Sequence, residues 1–356
     1  MEMYDYILES KAAVRNIVSN QQAIFADSLA LVQNKTYHQI YLVGSGTSYN
    51  ASLAAAGLMQ EVLKTRVTPV FAMEFVDNEQ IFDRNALVIG ISHAGHSTST
   101  IMALEKARET GLDTIAVSGV SDARVFDHSD ARILLDIGPE LVGPKTKGFI
   151  GSIATLQLFA MKSAEIRGLL SPAETANWTA RMVAVTDQIP DIAQRSADWY
   201  QQQKTELLPC RRLIVLGYGN VMGAMREGTL KLLEACRYSV VGYEMEEFMH
   251  GVYHSIDSNT YLLYLGPQGK HYERMKNMAR YFAEERKAHN YLITADRSVE
   301  NGNNFIFPFK DDPYFESMEY VVPCQVLARK MSLDLGIDCN ISSDPDFHRK
   351  MGSYTY

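Results

Sequence analysis

The densest run of chemistry-capable side chains is Arg226-Glu227-Gly228-Thr229-Leu230-Lys231-Leu232-Leu233-Glu234-Ala235. On a helix, Glu227, Lys231 and Glu234 fall at i, i+4 and i+7 and share one face. His250 follows in Glu246-Glu247-Phe248-Met249-His250-Gly251. An acid, a lysine and a histidine are what proton transfer beside a sugar carbonyl needs: a base for the carbon-bound proton and partners for the oxygens. The same spacing also describes an exposed Glu–Lys ladder, worth about 0.2–0.5 kcal/mol per pair, and spacing alone favours the ladder. His250 and His254 could offer two metal ligands from one helix face. Gly251 intervenes, however, and no HExxH glutamate accompanies them, so no metal and no other cofactor is expected.

A second kind of chemistry sits in two turns. Gly44-Ser45-Gly46-Thr47-Ser48 follows the apolar run Ile40–Val43, and Ser92-His93-Ala94-Gly95-His96-Ser97 follows Ala86–Ile91. A turn that leaves a parallel strand and opens a helix offers free amides and the positive end of the helix dipole to an anion. Gly46, Thr47, Ser48, Ser92, His93 and Ser97 are therefore candidate phosphate ligands. Each charge-assisted hydrogen bond contributes roughly 1.5–3 kcal/mol, so four or five suffice for a micromolar ligand after the costs of binding. The first turn is neither GxGxxG nor a GK[ST] loop, which argues against a dinucleotide or Walker site. One such turn is ordinary turn chemistry; two on neighbouring strands make an anion site the better reading.

These residues need elements to hold them. Residues 3–33 carry apolar positions at helical spacing with no Pro or Gly, predicting one or two amphipathic helices. Strands are expected at Ile40–Val43, Ala86–Ile91, Thr114–Val117, Ile133–Ile137, Leu213–Leu216, Tyr261–Leu265 and Tyr291–Ile293. Helices are expected through Ala51–Leu58 and at about Thr98–Thr110, Met222–Cys236, Tyr272–Lys287 and Tyr314–Leu335. Ser171–Glu206 is a polar, helical connection broken at Pro190, and a polar tail runs from Asp338 to Tyr356. Strands alternating with helices predict an α/β fold with parallel sheets covered on both faces, built as two similar halves.

Composition narrows the classes. With 46% hydrophobic and 21% charged residues in a chain of 356, two packed domains are expected and a disordered chain is excluded. The net charge of −8 argues against a nucleic-acid binder, which needs surplus Lys and Arg. An anionic small substrate must then be drawn in by a local field. Cys210, Cys236, Cys324 and Cys339 form no CxxC pair, and there is no secretory h-region and no apolar run of membrane-spanning length. A cytoplasmic protein with no membrane partner is the expectation.

Taken together, these segments resemble the SIS (sugar isomerase) family, specifically the isomerase half of glutamine–fructose-6-phosphate aminotransferase and the fructosamine-6-phosphate deglycases. Gly44–Tyr49 is similar to the family's first phosphate turn, Ser92–Ser97 to its SQSGET turn and Thr146-Lys147-Gly148-Phe149 to its TKAF segment. Glu227–Glu234 resembles its EGALKLKE helix and Glu247–Gly251 its ELKHG. The resemblance implies two tandem SIS-type, flavodoxin-like domains. These would be residues 1–200 (amino-terminal helices and first domain), 201–340 (second domain) and a tail, 341–356, closing the active site.

The resemblance also implies roles. Gly46, Thr47, Ser48, Ser92, His93 and Ser97 would hold the phosphate. Glu234 would shuttle a proton between C1 and C2, and Lys231 would donate near the sugar oxygens. His250 would open the ring from the neighbouring subunit of a homodimer, and Lys350 would stand for the family's C-terminal catalytic lysine. Ala94 and His96 depart from the phosphate turn, and Lys145 replaces a small serine; Lys145 and Glu227 are then candidate substrate contacts. The sequence shows no counterpart of the family's glutaminase half, and its tail, Gly352-Ser353-Tyr354-Thr355-Tyr356, resembles that of the deglycases. The implied activity is cleavage of a 6-phosphorylated Amadori compound to glucose 6-phosphate and an amine. Ketose–aldose isomerase, amino-sugar-phosphate deaminase and non-catalytic sugar-phosphate sensor are the alternatives. Residues 1–37 are too short and acidic for the basic helix-turn-helix a transcriptional sensor would carry.

Overall fold

A computed structural model describes every residue except Ile81 and Tyr356, so the last residue of the expected tail lies outside the described residues. The chain forms two compact units. One comprises residues 9–141, 147–184 and 342–356, the other residues 1–8, 142–146 and 185–341. The division thus runs through 184/185 instead of 200/201, and the tail belongs with the first half.

In chain order the first half contains α1 (Met3–Val32), β1 (Gln39–Gly44), α2 (Thr47–Leu63), β2 (Arg66–Phe71) and α3 (Ala72–Asn78). It continues with β3 (Ala86–Ile91), α4 (Thr98–Glu109), β4 (Asp113–Ser118), β5 (Ala131–Leu134), α5 (Lys147–Ile166) and α6 (Pro172–Thr186). The second half contains α7 (Ile189–Leu207), β6 (Arg212–Gly217), α8 (Met222–Cys236), β7 (Ser239–Glu244) and α9 (Met245–Phe248). Then come β8 (Tyr261–Leu265), α10 (Tyr272–Glu285), β9 (His289–Thr294), β10 (Phe305–Ile306) and α11 (Glu316–Asp334); α12 (Phe347–Lys350) lies in the tail.

Each half holds one five-stranded, all-parallel sheet. The first has the order β2-β1-β3-β4-β5 and the second β10-β9-β8-β6-β7. Counted within its own half, the second is again 2-1-3-4-5, the flavodoxin-like order, so the duplication expected from the sequence is present in the topology. Central strands β3 and β8 are buried at every residue, which is why they read as unbroken apolar runs. Tyr41, Val43, Phe75 and Val88 anchor a core in the first unit; Leu216, Tyr264, Met275 and Phe282 anchor one in the second. Burying each such side chain stabilises by roughly 1.5–3 kcal/mol.

Several elements differ from expectation. The edge strands β2 and β7 show no apolar run, because each buries only part of its residues, and β2 carries Pro69, which edge strands tolerate. Helix α5 is buried almost all round, so it has no amphipathic period to read. Pro190 lies in the first turn of α7, where its missing N–H costs nothing, and starts that helix instead of breaking one. No helix of the described residues is long and apolar enough to cross a membrane.

Candidate active site

In the first unit the strand order reverses between β1 and β3, and open α/β sheets take ligands at the carboxyl ends of the strands flanking such a reversal. The turns after β1 and β3 leave adjacent, hydrogen-bonded strands, so Gly46, Thr47, Ser48, Ser92, His93 and Ser97 share one end of the sheet. Neither Gly46 nor Ser97 caps its helix with a side-chain hydrogen bond. The amino ends of α2 and α4 therefore carry their dipoles without a capping carboxylate, although at α4 the Ser97 N–H is taken by Ser92 Oγ and the Thr98 N–H by the Ser353 carbonyl. Ser92 is nearly buried, and its hydroxyl accepts the Ser97 N–H at 3.3 Å. The Ser97 hydroxyl lies 3.2 Å from Ser99 Oγ and accepts from Thr100 Oγ1, also at 3.2 Å.

The second turn is clamped from behind. The His93 carbonyl accepts the Gly119 N–H at 3.0 Å and the Ser118 hydroxyl at 3.2 Å, and the Gly95 carbonyl accepts the Val125 N–H at 2.9 Å. Gly95 adopts φ +81°, and a Cβ there would stand 2.4 Å from the Ala123 Cβ, so only glycine fits. The His93 ring packs between two more glycines: a Cβ at Gly119 or Gly148 would approach it to 2.6 or 2.5 Å.

Two anchors lie beside this turn, one of which, Glu140, escaped sequence reasoning. The buried Glu140 carboxylate accepts the Lys147 and Gly148 N–H groups at 3.2 and 2.8 Å, capping α5. Lys147 is buried too, with Nζ donating to Glu9 Oε2 at 2.7 Å and to the Pro139 carbonyl at 2.9 Å. A lone Glu before a TKGF segment carries no periodic signal that would have marked it. Lys145, in the same stretch of chain, is half-buried.

In the second unit, α8 lines up Glu227, Lys231 and Glu234 as their spacing predicts, but the face is not the solvated ladder that spacing alone favoured. Glu227 has no exposed side-chain area and Lys231 only 2%, whereas Glu234 keeps 34%. Lys231 Nζ donates to Glu234 Oε2 at 2.7 Å and lies 3.4 Å from Glu227 Oε1. One ammonium between two carboxylates leaves the trio one negative charge, with only Glu234 reaching the surface. Glu234 sits in the last turn of α8, where the helix dipole disfavours an anion; the Lys231 ammonium offsets that.

His250 follows α9, which Glu244 caps by accepting the Glu246 and Glu247 N–H groups. The imidazole is 70% exposed, 3.6 Å from Glu246, which Arg274 also holds at 2.7 Å. Gly251, at φ +139°, separates His250 from the short turn bearing His254, so the two histidines share no helix. Among the described residues no group of three or more His, Cys, Asp or Glu could hold a metal ion. Lys350 ends α12, half-exposed, with Nζ 3.0 Å from Asp344. All four cysteines are buried and free.

Two parallel five-stranded α/β units, one with hydroxyl-rich turns at its strand reversal and the other with an acid–lysine–acid row whose first two members are buried, define a doubly wound, flavodoxin-like class of fold. Residues 35–162 match the SIS domain family model. Over 308 residues, 84% of this chain, it is 28% identical to the glutamine–fructose-6-phosphate aminotransferase (isomerizing) of Leifsonia xyli subsp. xyli. The chain spans about half the length of the curated relatives it matches. A solved structure from Clostridium difficile 630, provisionally described as a phosphosugar isomerase, is 27% identical with a TM-score of 0.92, covering 100% of this chain and 99% of that one. The C-terminal domain of the Francisella tularensis glucosamine-fructose-6-phosphate aminotransferase shares the fold at 21% identity and a TM-score of 0.81, covering 95% of this chain and 98% of that one.

Proposed function

We propose that this chain is a phosphosugar enzyme that shifts a proton between C1 and C2, and that its substrate is a 6-phosphorylated Amadori compound. The observation that carries the reading is the buried Glu227–Lys231–Glu234 row, since a structural ladder would be solvated along its length. Glu234 removes a C1 proton from the ketoamine, giving an enaminol. Reprotonation at C2 yields an imine at C1, and water then releases the amine and glucose 6-phosphate. Lys231, held as the ammonium by two carboxylates, hydrogen-bonds the sugar oxygens as charge develops on them. Gly46, Thr47, Ser48, Ser92, His93 and Ser97 hold the phosphate, and Lys145 meets the substrate.

His250 opens the sugar ring for a second copy of the chain, a role its exposure permits, and Lys350 in the tail completes the catalytic set. The deglycase choice over isomerase or deaminase is supported by the resemblance of the tail. Product analysis separates them. Fructosamine 6-phosphate should give glucose 6-phosphate with the wild type and none with Glu234→Gln. Conversion of fructose 6-phosphate or glucosamine 6-phosphate alone would move the assignment to an isomerase or a deaminase. Tight binding with no conversion of any of the three would make the chain a sensor.

A further inference from the structure

Segment 342–355 belongs to the first unit and is fastened onto the turn after β3. Tyr354 forms an antiparallel bridge with Ser97. The Thr98 N–H donates to the Ser353 carbonyl at 3.1 Å, and the Thr355 N–H donates to the His96 carbonyl at 2.8 Å. The Thr98 hydroxyl adds contacts to the Gly352 carbonyl at 3.1 Å and to Thr355 Oγ1 at 2.9 Å. Thr98 is the first residue of α4, so the segment takes an amide that the helix end would otherwise present.

An aromatic sandwich locks this strap. His348 stacks on the Tyr354 ring with centroids 4.2 Å apart and planes at 15°, while His96 meets the same ring edge-on at 4.5 Å and 83°. His348 Nδ1 also lies 2.8 Å from Ser353 Oγ, tying the imidazole to the strap. The other tail charges pair among themselves, Arg349 with Asp346 at 2.9 Å and Lys350 with Asp344 at 3.0 Å. The groups facing His96 from the tail are thus His348 and Tyr354.

We infer that His96 is a positioning residue: with His348 it grips Tyr354, fastens the strap to the second hydroxyl-rich turn, and lets go when the His96 imidazole takes up a proton. A proton on His96 places a charge in a partly buried setting beside a second histidine, whereas the neutral ring packs edge-on against Tyr354. Burial holds His96 below its ordinary value against an opposing hydrogen bond with the Ala94 backbone, and the neighbouring His348 pushes the same way as burial. The fastened form therefore binds fewer protons than the released form. Fastening is complete above the usual histidine range and weakens as pH falls through it. Lys350 rides on this strap, so release also displaces that lysine. The inference rests on the proposed function only for what the strap covers; the grip itself is independent of it.

The test is amide hydrogen exchange of the full chain without ligand, corrected for intrinsic rates, at pH 8 and pH 5.5. Protection of Thr98 and Thr355 should fall severalfold at the lower pH, while the middle of α4 stays protected. His96→Gln and His348→Gln should each flatten that dependence. Protection equal at both pH values, or a fall that persists in both variants, overturns the inference. A parallel titration with inorganic phosphate keeps the two readings apart: no binding, with the strap still opening, would remove the anion site and support the grip.

Discussion

At the scale of single residues, α8 concentrates the chemistry in three charges whose burial differs by position. Lys231 is the link. Lys231→Met would strip Glu227 of its ammonium in a buried setting, and breaking such a pair costs roughly 3–5 kcal/mol. Urea denaturation should show that loss, and Glu227→Gln in the same chain should recover part of it, because the double variant buries no uncompensated carboxylate. Glu234 differs: it is one-third exposed, so Glu234→Gln should change stability by less than about 1 kcal/mol, as exposed ion pairs do. A stability-neutral variant without turnover would place the effect in chemistry and not in folding.

At the scale of elements, the turns are what the sequence makes legible, because strand ends and helix starts are marked by apolar runs meeting Gly and Ser. Both hydroxyl-rich turns lie after the strands expected to carry them, and α8 spans the helix its spacing predicts. Burial was not legible: i, i+4, i+7 reports a shared face and not what covers it, so Glu227 and Lys231 read as a solvated ladder. β2, β7 and α5 were hidden for related reasons, since edge strands and all-round-buried helices break the periods that sequence reading relies on. The contact of His96 with Tyr354 joins residues 258 positions apart, and no local pattern announces it. The turn itself yields a prediction. Gly95→Ala must displace Ala123 or abandon φ +81°, strain of order 1–3 kcal/mol. It should lower the melting temperature and, where inorganic phosphate raises that of the wild type as the proposed site predicts, abolish that rise.

At the scale of the whole molecule, the same topology appears twice but the strand-reversal ends differ. In the second unit that end is crossed by residues 310–320: the Asp311 carboxylate accepts from Tyr320 at 2.6 Å and from the Gln268 N–H at 3.3 Å, and Glu319 accepts the Lys310 N–H at 2.9 Å. Burial, reinforced by neighbouring carboxylates, pushes Glu316 and Glu319 up to about 8. The folded chain then holds more protons than the unfolded chain between the ordinary glutamate range and that value. Stability should fall as pH rises through the window and level off above it; urea midpoints across pH 5 to 9 should show the decline, and Glu319→Gln should shrink it. The two ends thus differ in chemistry, hydroxyl-rich turns in one and a cluster of buried acids in the other, a contrast that favours the first for the proposed phosphate site. The central claim, that Glu234 moves a proton on a sugar held by its phosphate, is tested most directly by proton NMR of fructosamine 6-phosphate in D₂O. Wild-type protein should place deuterium at C2 of the glucose 6-phosphate it forms, or exchange one of the two C1 protons of the remaining substrate. Glu234→Gln should bind the sugar phosphate with unchanged affinity and leave the C1 proton signals intact, and a Glu234→Gln protein that turns over at the wild-type rate would contradict the claim.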